Sequence, residues 1–355
     1  MATATTRRCG FAAPARSRRT CRSKPACRFW PSSAPSSIIW PAAPPRRAAR
    51  RRRRWWWPGW QRRGALPDSD AARARSPRRS RRFTVLLPVL RPPWFLPHAV
   101  RSVLGQTVED LELCIVCDGA PPETVAAARD LAAVDQRIHV FRFAKGERHG
   151  EAHRAAVLDG ARSRFVAQIG DDDLWYPDHL AVLARLLARA DLAAVCQVRL
   201  MADGVVRPVP TFSSLADPHV RERMLSQTWN FFGPSEAGYR LAAYRALPVG
   251  WSPAPPDLFS DLFMWRKFLR QPDLTFASRF AVTSLKFGAA DWSATGPEQQ
   301  AAIIAREAAL LHDRTRRDEI TRIARDGVDV SLRAEPTLRA RLLRPFRTAL
   351  DAVRT

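Results

Sequence analysis

The sequence predicts an α/β protein whose doubly wound, mainly parallel sheet carries helices on both faces. From residue 83 onward, apolar runs of strand length alternate with segments of helical periodicity. Such alternation is typical of parallel sheets whose strands are joined by crossover helices. The predicted strands are 83–90, 111–117, 137–143, 164–169 and 192–198, with helices at 94–105, about 122–132, about 151–161 and 178–190 between them.

The first elements have clear local signals. Residues 83–90 and 111–117 are nearly unbroken apolar runs, which is the pattern of strands buried on both faces. The second run ends at Asp118-Gly119, a dipeptide that favours a turn. In the segment 178–190, the leucines recur at helical spacing and share one face, which predicts an amphipathic helix.

Beyond residue 200 the alternation weakens. The predicted elements there are a strand or hairpin at 205–212, helices at 216–228, 236–246 and 257–269, a loop at 248–256, a strand within 275–287, and helices at 297–312 and 314–326. The tail 337–353 is basic and amphipathic, and Pro345 interrupts it. We expect this tail to pack on its own domain, and a helix lying on a membrane surface is the alternative.

Composition sets the first 82 residues apart. They contain 22 Arg and 1 Lys against 2 Asp, a balance of +21 within the net charge of +24, so the remainder carries only +3. We expect residues 1–82 to form a disordered Arg- and Pro-rich leader, because such a segment cannot bury an apolar core. A targeting segment and a mis-assigned translation start are the alternatives. Since nucleic-acid binding would rest on this leader, nucleic acid is not an expected partner of the folded part.

The compartment is predicted from three further features. No window approaches the ~20 apolar residues of a membrane-spanning helix, and the first residues lack the apolar core of a secretory signal. Cys114, Cys117 and Cys196 fall in strand-like runs, which predicts buried thiols in a reducing environment. We therefore expect a cytoplasmic protein, with peripheral contact with a membrane as an alternative.

Three adjacent aspartates, Asp171, Asp172 and Asp173, follow the predicted strand 164–169. Adjacent carboxylates repel one another, and a hard divalent cation is their natural counter-charge. Open α/β sheets bind ligands outside the carboxyl ends of their strands, so the position also favours a metal site. The alternative is an acidic helix start, because Asp178 precedes a helix.

Four segments, taken in order, resemble motifs of glycosyltransferase family 2, whose members have the GT-A fold and use nucleotide sugars. They are TVLLP at 84–88 with AVRSVLGQT at 99–107, LELCIVCDG at 111–119, GDDDLWYPDHL at 170–180, and SDLFMWR at 260–266. The resemblance covers about residues 83–290. It implies a nucleotide-sugar half at 83–200 and an acceptor half at 201–290, which leaves 291–355 as a C-terminal helical extension.

The resemblance implies a Mg²⁺ or Mn²⁺ cofactor, which would neutralise the diphosphate of the donor. Asp172 matches the metal-coordinating aspartate of the family, and Asp171 would contact the ribose or a metal-bound water. Gly170 stands where many members have the first aspartate of the triplet. The register can therefore shift by one residue, and Asp173 is the second candidate for the metal.

Nucleotide binding is also implied at the earlier motifs. Asp118 matches the family residue that hydrogen-bonds the nucleobase, with a plain Asp-Gly turn as the structural alternative. Pro88 would line the base pocket through its backbone, and Leu90 falls near the family's base-stacking position. Arg154 matches a position at which members of the family often carry a residue close to the diphosphate. The alternative is that Arg154 belongs to a solvated basic turn.

Asp261 is the predicted general base. Inversion at an anomeric carbon needs a carboxylate that removes the proton of the attacking hydroxyl, and Asp261 matches the acceptor-side motif of the family. The neighbouring aromatic residues would raise its pKa by desolvation. Asp257, four residues earlier, is the alternative base.

The predicted function is an inverting, metal-dependent glycosyltransferase. Its donor would be a UDP-, GDP- or dTDP-linked sugar, and its acceptor a hydroxyl of a saccharide, a lipid-linked molecule or a small molecule. A nucleotidyltransferase is the closest alternative, but such enzymes usually carry a Gly-rich basic loop where this chain has 90–94, Leu-Arg-Pro-Pro-Trp. A protein that binds nucleic acid or membranes through the leader is the alternative outside enzymes.

Overall fold

The computed structural model describes residues 81–201, 206–208, 212–287 and 295–334, with the backbone alone described at 206–208 and 328–334. The predicted leader, apart from its last two residues, and the predicted basic tail lie outside the described residues. The division of the chain into three parts therefore stays a prediction.

The described secondary structure alternates as the sequence pattern indicates. The strands are β1 (Phe83–Val89), β2 (Leu111–Asp118), β3 (Ile138–Phe143), β4 (Phe165–Gln168), β5 (Leu174–Trp175), β6 (Leu192–Cys196), β7 (Val198–Leu200), β8 (Val206–Pro208), β9 (Ala237–Arg240), β10 (Phe276–Val282) and β11 (Ser284–Leu285). The helices are α1 (Leu96–Leu104), α2 (Pro122–Val134), α3 (Glu151–Gly160), α4 (His179–Leu187), α5 (Pro218–Ser226), α6 (Leu241–Ala246), α7 (Ser260–Leu269), α8 (Pro297–Ala309) and α9 (Arg314–Ala334).

The main sheet has seven strands in the order β10-β6-β9-β4-β1-β2-β3. Its neighbouring strands are parallel except where β9 pairs with β4 and β6, both antiparallel. Because β1, β2 and β4 run parallel, their carboxyl ends meet at one edge of the sheet. The segments that follow these three strands are therefore neighbours in space.

Helices cover both faces of this sheet, as predicted. Successive side chains of a strand point to opposite faces, and in β1 Val85 and Leu87 belong to a core that includes α1, α2 and α4. Leu86, between them, belongs to a second core that includes α3, α5, α6 and α7. The doubly wound α/β class predicted from the alternating runs is confirmed.

A third core joins the C-terminal helices to the domain. Ile304 of α8 and Ile320 of α9 are buried together with Leu174 and Leu285. Arg317 pairs with Asp178 at 2.9 Å, so this acid serves the contact between α9 and the start of α4. The side chain of Asp178 makes no capping hydrogen bond to α4, so the predicted acidic helix start is not what holds this residue. The helices predicted at 297–312 and 314–326 are confirmed in these positions.

The prediction of a single helix over 236–246 is wrong. Residues Ala237–Arg240 form β9, which is inserted between β4 and β6, and a helix begins only at Leu241. A Cβ atom added at Gly238 would lie 3.2 Å from side-chain carbons of Leu183 and Leu187. The glycine therefore lets α4 pack closely over the inserted strand, a constraint that no local pattern reveals.

Two smaller differences concern two-stranded sheets outside the main sheet. Leu174–Trp175 forms the short strand β5, paired antiparallel with β11, immediately after the aspartates. The hairpin predicted around 205–212 consists of β7 and β8, so part of it lies earlier than expected. Both pairings are too short to give a period-2 signal in the sequence.

Two expectations from composition can be compared with the structure. Cys114, Cys117 and Cys196 are buried, as predicted. Burial raises the pKa of Cys117 to about 11 and that of Cys196 to about 12, so both thiols stay protonated at neutral pH. Across the part of the chain that the structure describes, no helix has the length and apolar character needed to span a membrane.

Candidate active site

The aspartate run lies just beyond β4, at the edge where β1 and β2 also end. Arg91, two residues beyond β1, reaches across to it. Its Nε lies 3.1 Å from Asp171 Oδ2, and its Nη1 donates to Asp172 Oδ2 at 3.0 Å. Two aspartates therefore share one guanidinium.

Asp173 has a different environment. It is fully buried and accepts hydrogen bonds from Lys286 Nζ at 3.1 Å, from the Phe287 backbone N–H at 3.1 Å and from the hydroxyl of Ser235. Both of its oxygens are thus engaged within the protein. These contacts favour a structural role for Asp173 over metal binding.

The buried carboxylates have perturbed acidities. Burial, followed by the charge of Asp172, raises the pKa of Asp171 to about 7, against the opposing effect of Arg91. Burial and the charge of Asp173 also raise the pKa of Asp172. Glu236, which hydrogen-bonds Ser284, has its pKa raised to about 7, again mainly by burial. The site therefore holds more negative charge than its surroundings stabilise.

Lys286 is the second cation of this cluster. Burial on its own would lower its pKa, but the carboxylates of Asp173, Glu236 and Asp172 outweigh burial and raise it. If the four carboxylates are ionised, Arg91 and Lys286 leave two negative charges uncompensated. This uncompensated charge favours the binding of a cation.

A metal ion fits the residues that are present. Asp171 Oδ2 is buried and accepts no hydrogen bond, although Arg91 Nε is 3.1 Å away, because the N–H is not directed at it. Among the described residues, no three His, Cys, Asp or Glu side chains could enclose a metal ion by themselves. Mg²⁺ commonly uses one or two carboxylates and takes its remaining oxygens from water and phosphate, so Asp171 and Asp172 suffice as a partial ligand set.

Asp118 ends β2 and is almost completely buried. Its Oδ2 accepts from Lys145 Nζ at 2.9 Å, and its Oδ1 accepts from the Gly146 N–H at 2.6 Å. His153 Nε2 lies 3.3 Å from Oδ1. Gly150 has φ +67° and approaches so closely that an added Cβ would lie 2.6 Å from the carboxylate. Asp118 is therefore held rigidly at the strand end, with one lone pair on each oxygen still available.

Pro88 and Leu90 flank the same strand end. Pro88 pairs with Val116 in the β1–β2 register, and its side chain is half-buried. Leu90 follows the last pair of this register and is 48% exposed. The structure thus leaves Leu90 accessible next to the end of β2, and the predicted contacts of both residues with a nucleobase stay predictions.

A cavity of about 620 Å³ opens beside the aspartates. Its lining includes the side chains of Arg148, Arg154, Gln168, Asp257, Asp261 and Lys286. Gln168 is the last residue of β4, so the cavity adjoins the aspartate run directly. It brings together cations and acids from separate parts of the chain.

Asp261 lies in the first turn of α7 and is half-buried. Its Oδ2 accepts from Asn230 Nδ2 at 2.9 Å, and its Oδ1 accepts from the Leu262 N–H at 2.7 Å. Burial raises its pKa. Asp257 also lines the cavity, but it is exposed in the loop before α7. The predicted helix start at 257 is wrong, because α7 begins at Ser260.

Arg154 lies in α3, on the wall of the same cavity, and is 4% exposed. Its Nη2 donates to the His149 carbonyl at 2.6 Å, and its guanidinium lies 4.6 Å from the ring centroid of Trp251. Its Nε has no hydrogen-bond partner, and burial lowers its pKa. The alternative of a solvated basic turn does not describe Arg154, and its contact with a diphosphate stays a prediction.

Sequence reasoning did not single out Arg91, Lys286, Glu236 or Ser235 as site residues. Of these four residues, only Arg91 could have been found from a local signal in the sequence. It follows the first strand of an α/β sheet, where ligand-binding loops begin. The other three reach the site through contacts 48 to 113 residues apart in the sequence. Only the folded chain brings these partners to the aspartates.

Acidic groups at the ends of β2 and β4, which lie on either side of β1, are typical of α/β proteins that bind ligands at the carboxyl edge of the sheet. The family can be stated more closely. A family model described as Glycosyl transferase family 2 matches residues 84–247. This match covers 164 of the 355 residues, so that segment of the chain is similar to a family of transferases that act on nucleotide sugars.

Individual proteins show the same relationship. The succinoglycan biosynthesis protein ExoW of Rhizobium meliloti is 32% identical over 112 residues, which cover 31% of this chain and 35% of that protein. Chondroitin synthase of Escherichia coli is 28% identical over 113 residues, which cover 32% of this chain and 16% of that protein. The chain thus spans about a third or less of the length of these two relatives.

Solved structures are similar at lower identity. The crystal structure of TarS from S. aureus, in a form covering residues 1–349 of that protein, superposes with a TM-score of 0.48 and 15% identity. The superposition covers 68% of this chain and 69% of that one. The family model and the sequence relatives favour a glycosyltransferase over the nucleotidyltransferase considered from the sequence.

Proposed function

We propose that this protein transfers a sugar from a nucleoside-diphosphate sugar to a hydroxyl acceptor, with inversion at the anomeric carbon. One observation carries the proposal. The ends of β2 and β4 bring Asp118 and the pair Asp171–Asp172 to one edge of the sheet, and a cavity that begins at Gln168, the last residue of β4, reaches Asp261. A nucleotide, a diphosphate and a sugar laid along this edge would each meet a group of suitable chemistry.

On the donor side, Asp118 would accept a hydrogen bond from the nucleobase, and Pro88 and Leu90 would border the base. Asp172 and Asp171 would hold Mg²⁺ or Mn²⁺, which would supply positive charge to the leaving diphosphate. Asp173, held by its contacts with Lys286 and Phe287, would fix the position of Asp171 and Asp172. Arg154 would add a fixed positive charge on the side of the cavity.

On the acceptor side, Asp261 would act as the general base. The acceptor hydroxyl would pass its proton to Asp261 as its oxygen bonds to the anomeric carbon, and the bond from that carbon to the diphosphate oxygen would break. Burial raises the pKa of Asp261 toward the range in which a carboxylate accepts a proton effectively. The hydrogen bond from Asn230 fixes the orientation of the carboxylate. Asp257 remains the alternative base, because it also faces the cavity.

The donor would be UDP-, GDP- or dTDP-linked, and the acceptor a saccharide, a lipid-linked molecule or a small molecule. A screen for hydrolysis of such nucleotide sugars, with and without Mn²⁺, tests the proposal. We expect metal-dependent release of one nucleoside diphosphate, and its loss in Asp172→Ala. The matched control is Asp130→Asn, an exposed acid on α2, which should hydrolyse the donor like the unmodified protein. Normal hydrolysis by Asp172→Ala would contradict the metal assignment.

A further inference from the structure

Arg91 lies against both aspartates to which we assign the metal ion. Its Nε is 3.1 Å from Asp171 Oδ2, and its Nη1 is 3.0 Å from Asp172 Oδ2. The Arg91 side chain is 38% exposed, whereas the two carboxylates are 8% and 13% exposed. The guanidinium therefore lies over carboxylates that are more buried than itself.

The backbone of Arg91 is fixed independently of this contact. Its carbonyl oxygen accepts a hydrogen bond from Thr124 Oγ1 at 2.9 Å, which ties the loop after β1 to the start of α2. The guanidinium lies 5.9 Å from the ring centroid of Phe95. Because the backbone is anchored, the long side chain can turn away from the aspartates without a movement of the loop.

A divalent cation and the guanidinium cannot use these oxygens together. A dication bound to a carboxylate oxygen lies about 2.0–2.6 Å from it, and the guanidinium nitrogens are already 3.0 and 3.1 Å from the same two atoms. The two positive centres would then lie within about 4–5 Å of each other, a distance at which repulsion in a partly buried site is strong. Arg91 in its present position therefore competes with a metal ion for these oxygens.

We propose that Arg91 is the resident counter-ion of Asp171 and Asp172, that a divalent cation displaces it, and that the diphosphate of the donor then receives its guanidinium. The planar guanidinium suits a phosphate group, to which it can donate two parallel hydrogen bonds. The inference rests on the proposed function, because it assigns the metal ion to these aspartates. It predicts positive coupling between the metal ion and the nucleotide, since the diphosphate supplies the partner that Arg91 lost.

The test measures binding of Mn²⁺ alone, by calorimetric titration or by the electron paramagnetic resonance signal of free Mn²⁺. We expect Arg91→Gln to bind Mn²⁺ about tenfold more tightly than the unmodified protein, because no guanidinium competes for the oxygens. Arg101→Gln on α1 makes the same change in net charge and should leave the Kd for Mn²⁺ unchanged within about twofold.

A second titration measures the coupling. With UDP, GDP or dTDP present, whichever binds, Mn²⁺ should bind the unmodified protein about tenfold more tightly than without it. In Arg91→Gln this gain should be clearly smaller, because only the direct contact between the metal ion and the diphosphate then couples the two ligands. Arg91→Lys keeps the charge but loses the planar fork, so it should bind Mn²⁺ alone as weakly as the unmodified protein and gain less from the nucleotide. This variant keeps the proposal testable if Arg91→Gln does not fold.

The possible failures can be separated. Unchanged or weaker binding of Mn²⁺ to a folded Arg91→Gln variant would overturn the inference about Arg91. Equal binding of Mn²⁺ to the unmodified protein and to Asp172→Asn, with nucleotide present, would instead overturn the metal site of the proposed function. Melting curves of each variant show whether it is folded.

Discussion

Lys286 Nζ lies 3.1 Å from Asp173 Oδ2 and connects the segment after β11 to the third aspartate of the run. Asp173 is fully buried, and the Lys286 side chain is 25% exposed. The pair is therefore a mostly buried ion pair at the floor of the candidate active site. We expect this ion pair to contribute to the stability of the fold.

Replacing Lys286 by Met should destabilise the protein by about 3 kcal/mol, because it leaves Asp173 as a buried charge without its partner. The free energy of unfolding in urea measures the effect. Arg322→Met provides a control, since Arg322 pairs with Asp326 on the surface of α9 and both side chains are more than 60% exposed. That change should cost less than about 0.5 kcal/mol. An equal cost for both variants would contradict a special role of the Lys286–Asp173 pair.

The fixed position of Asp118 depends on Gly150. Gly150→Ala should cost at least about 1 kcal/mol, because its φ of +67° is strained for other residues and the new Cβ would meet the Asp118 carboxylate at 2.6 Å. Displacement of Asp118 should also weaken binding of the preferred nucleoside diphosphate by about tenfold, which is the loss of one well-placed hydrogen bond to a charged group.

The control for this change lies in the same helix region. At Gly160, the last residue of α3, an added Cβ meets no atom within 4 Å. Gly160→Ala should therefore leave nucleotide binding unchanged and should not lower the free energy of unfolding. Calorimetric titration and urea unfolding on both variants give the comparison. If Gly150→Ala binds nucleotide normally, Asp118 is not the group that recognises the base.

The assignment of the general base predicts a difference between two neighbouring acids. Asp261→Asn should keep donor binding and lower kcat for transfer by roughly 100-fold or more, because the acceptor proton loses its carboxylate. Asp257→Asn should change kcat by less than about threefold, since this acid is exposed. Steady-state transfer rates, together with the Kd of the donor, distinguish the two. The opposite result would make Asp257 the base.

His179 predicts a loss of stability in acid. It is fully buried, stacks on Trp175 at 4.2 Å and has an Nδ1 atom 2.8 Å from Thr283 Oγ1. Burial lowers its pKa to about 3, so the folded state binds this proton less readily than the unfolded chain. The neutral imidazole thus contributes stability above the unfolded pKa, and this contribution is lost as pH falls from about 6.5 toward 3.

Between pH 7 and pH 5 the loss from this one group should be about 2 kcal/mol. His179→Asn removes the titrating group, so its free energy of unfolding should fall by that much less over the same interval. His219→Asn, at an exposed position of α5, should retain the full pH dependence. Urea unfolding at a series of pH values measures all three proteins. If the free energy of unfolding of His179→Asn and that of the unmodified protein fall equally with pH, His179 is not the source of the loss of stability in acid.

Much of the main sheet could be predicted, because most of its strands are specified by patterns of neighbouring residues in the sequence. The runs that became β1, β2, β3, β4 and β6 are apolar over four to eight residues and end at turn or polar residues. β9 could not be predicted, because its stability comes from pairing with β4 and β6 on both sides. Four residues with a central glycine carry no periodic signal, and tertiary pairing then decides between helix and strand.

The sequence by itself determined the α/β class and singled out the run with Asp171 and Asp172, because strand hydrophobicity and clustered charge are properties of adjacent residues. Asp118 and Asp261 were singled out by the resemblance to glycosyltransferase family 2. The tertiary structure decided which counter-charge each acid receives. Arg91 and Lys286 lie 81 and 113 residues from the aspartates that they contact. Only the parallel strand ends and the closing strand pair bring these charges within a few ångströms, where burial makes their interaction strong.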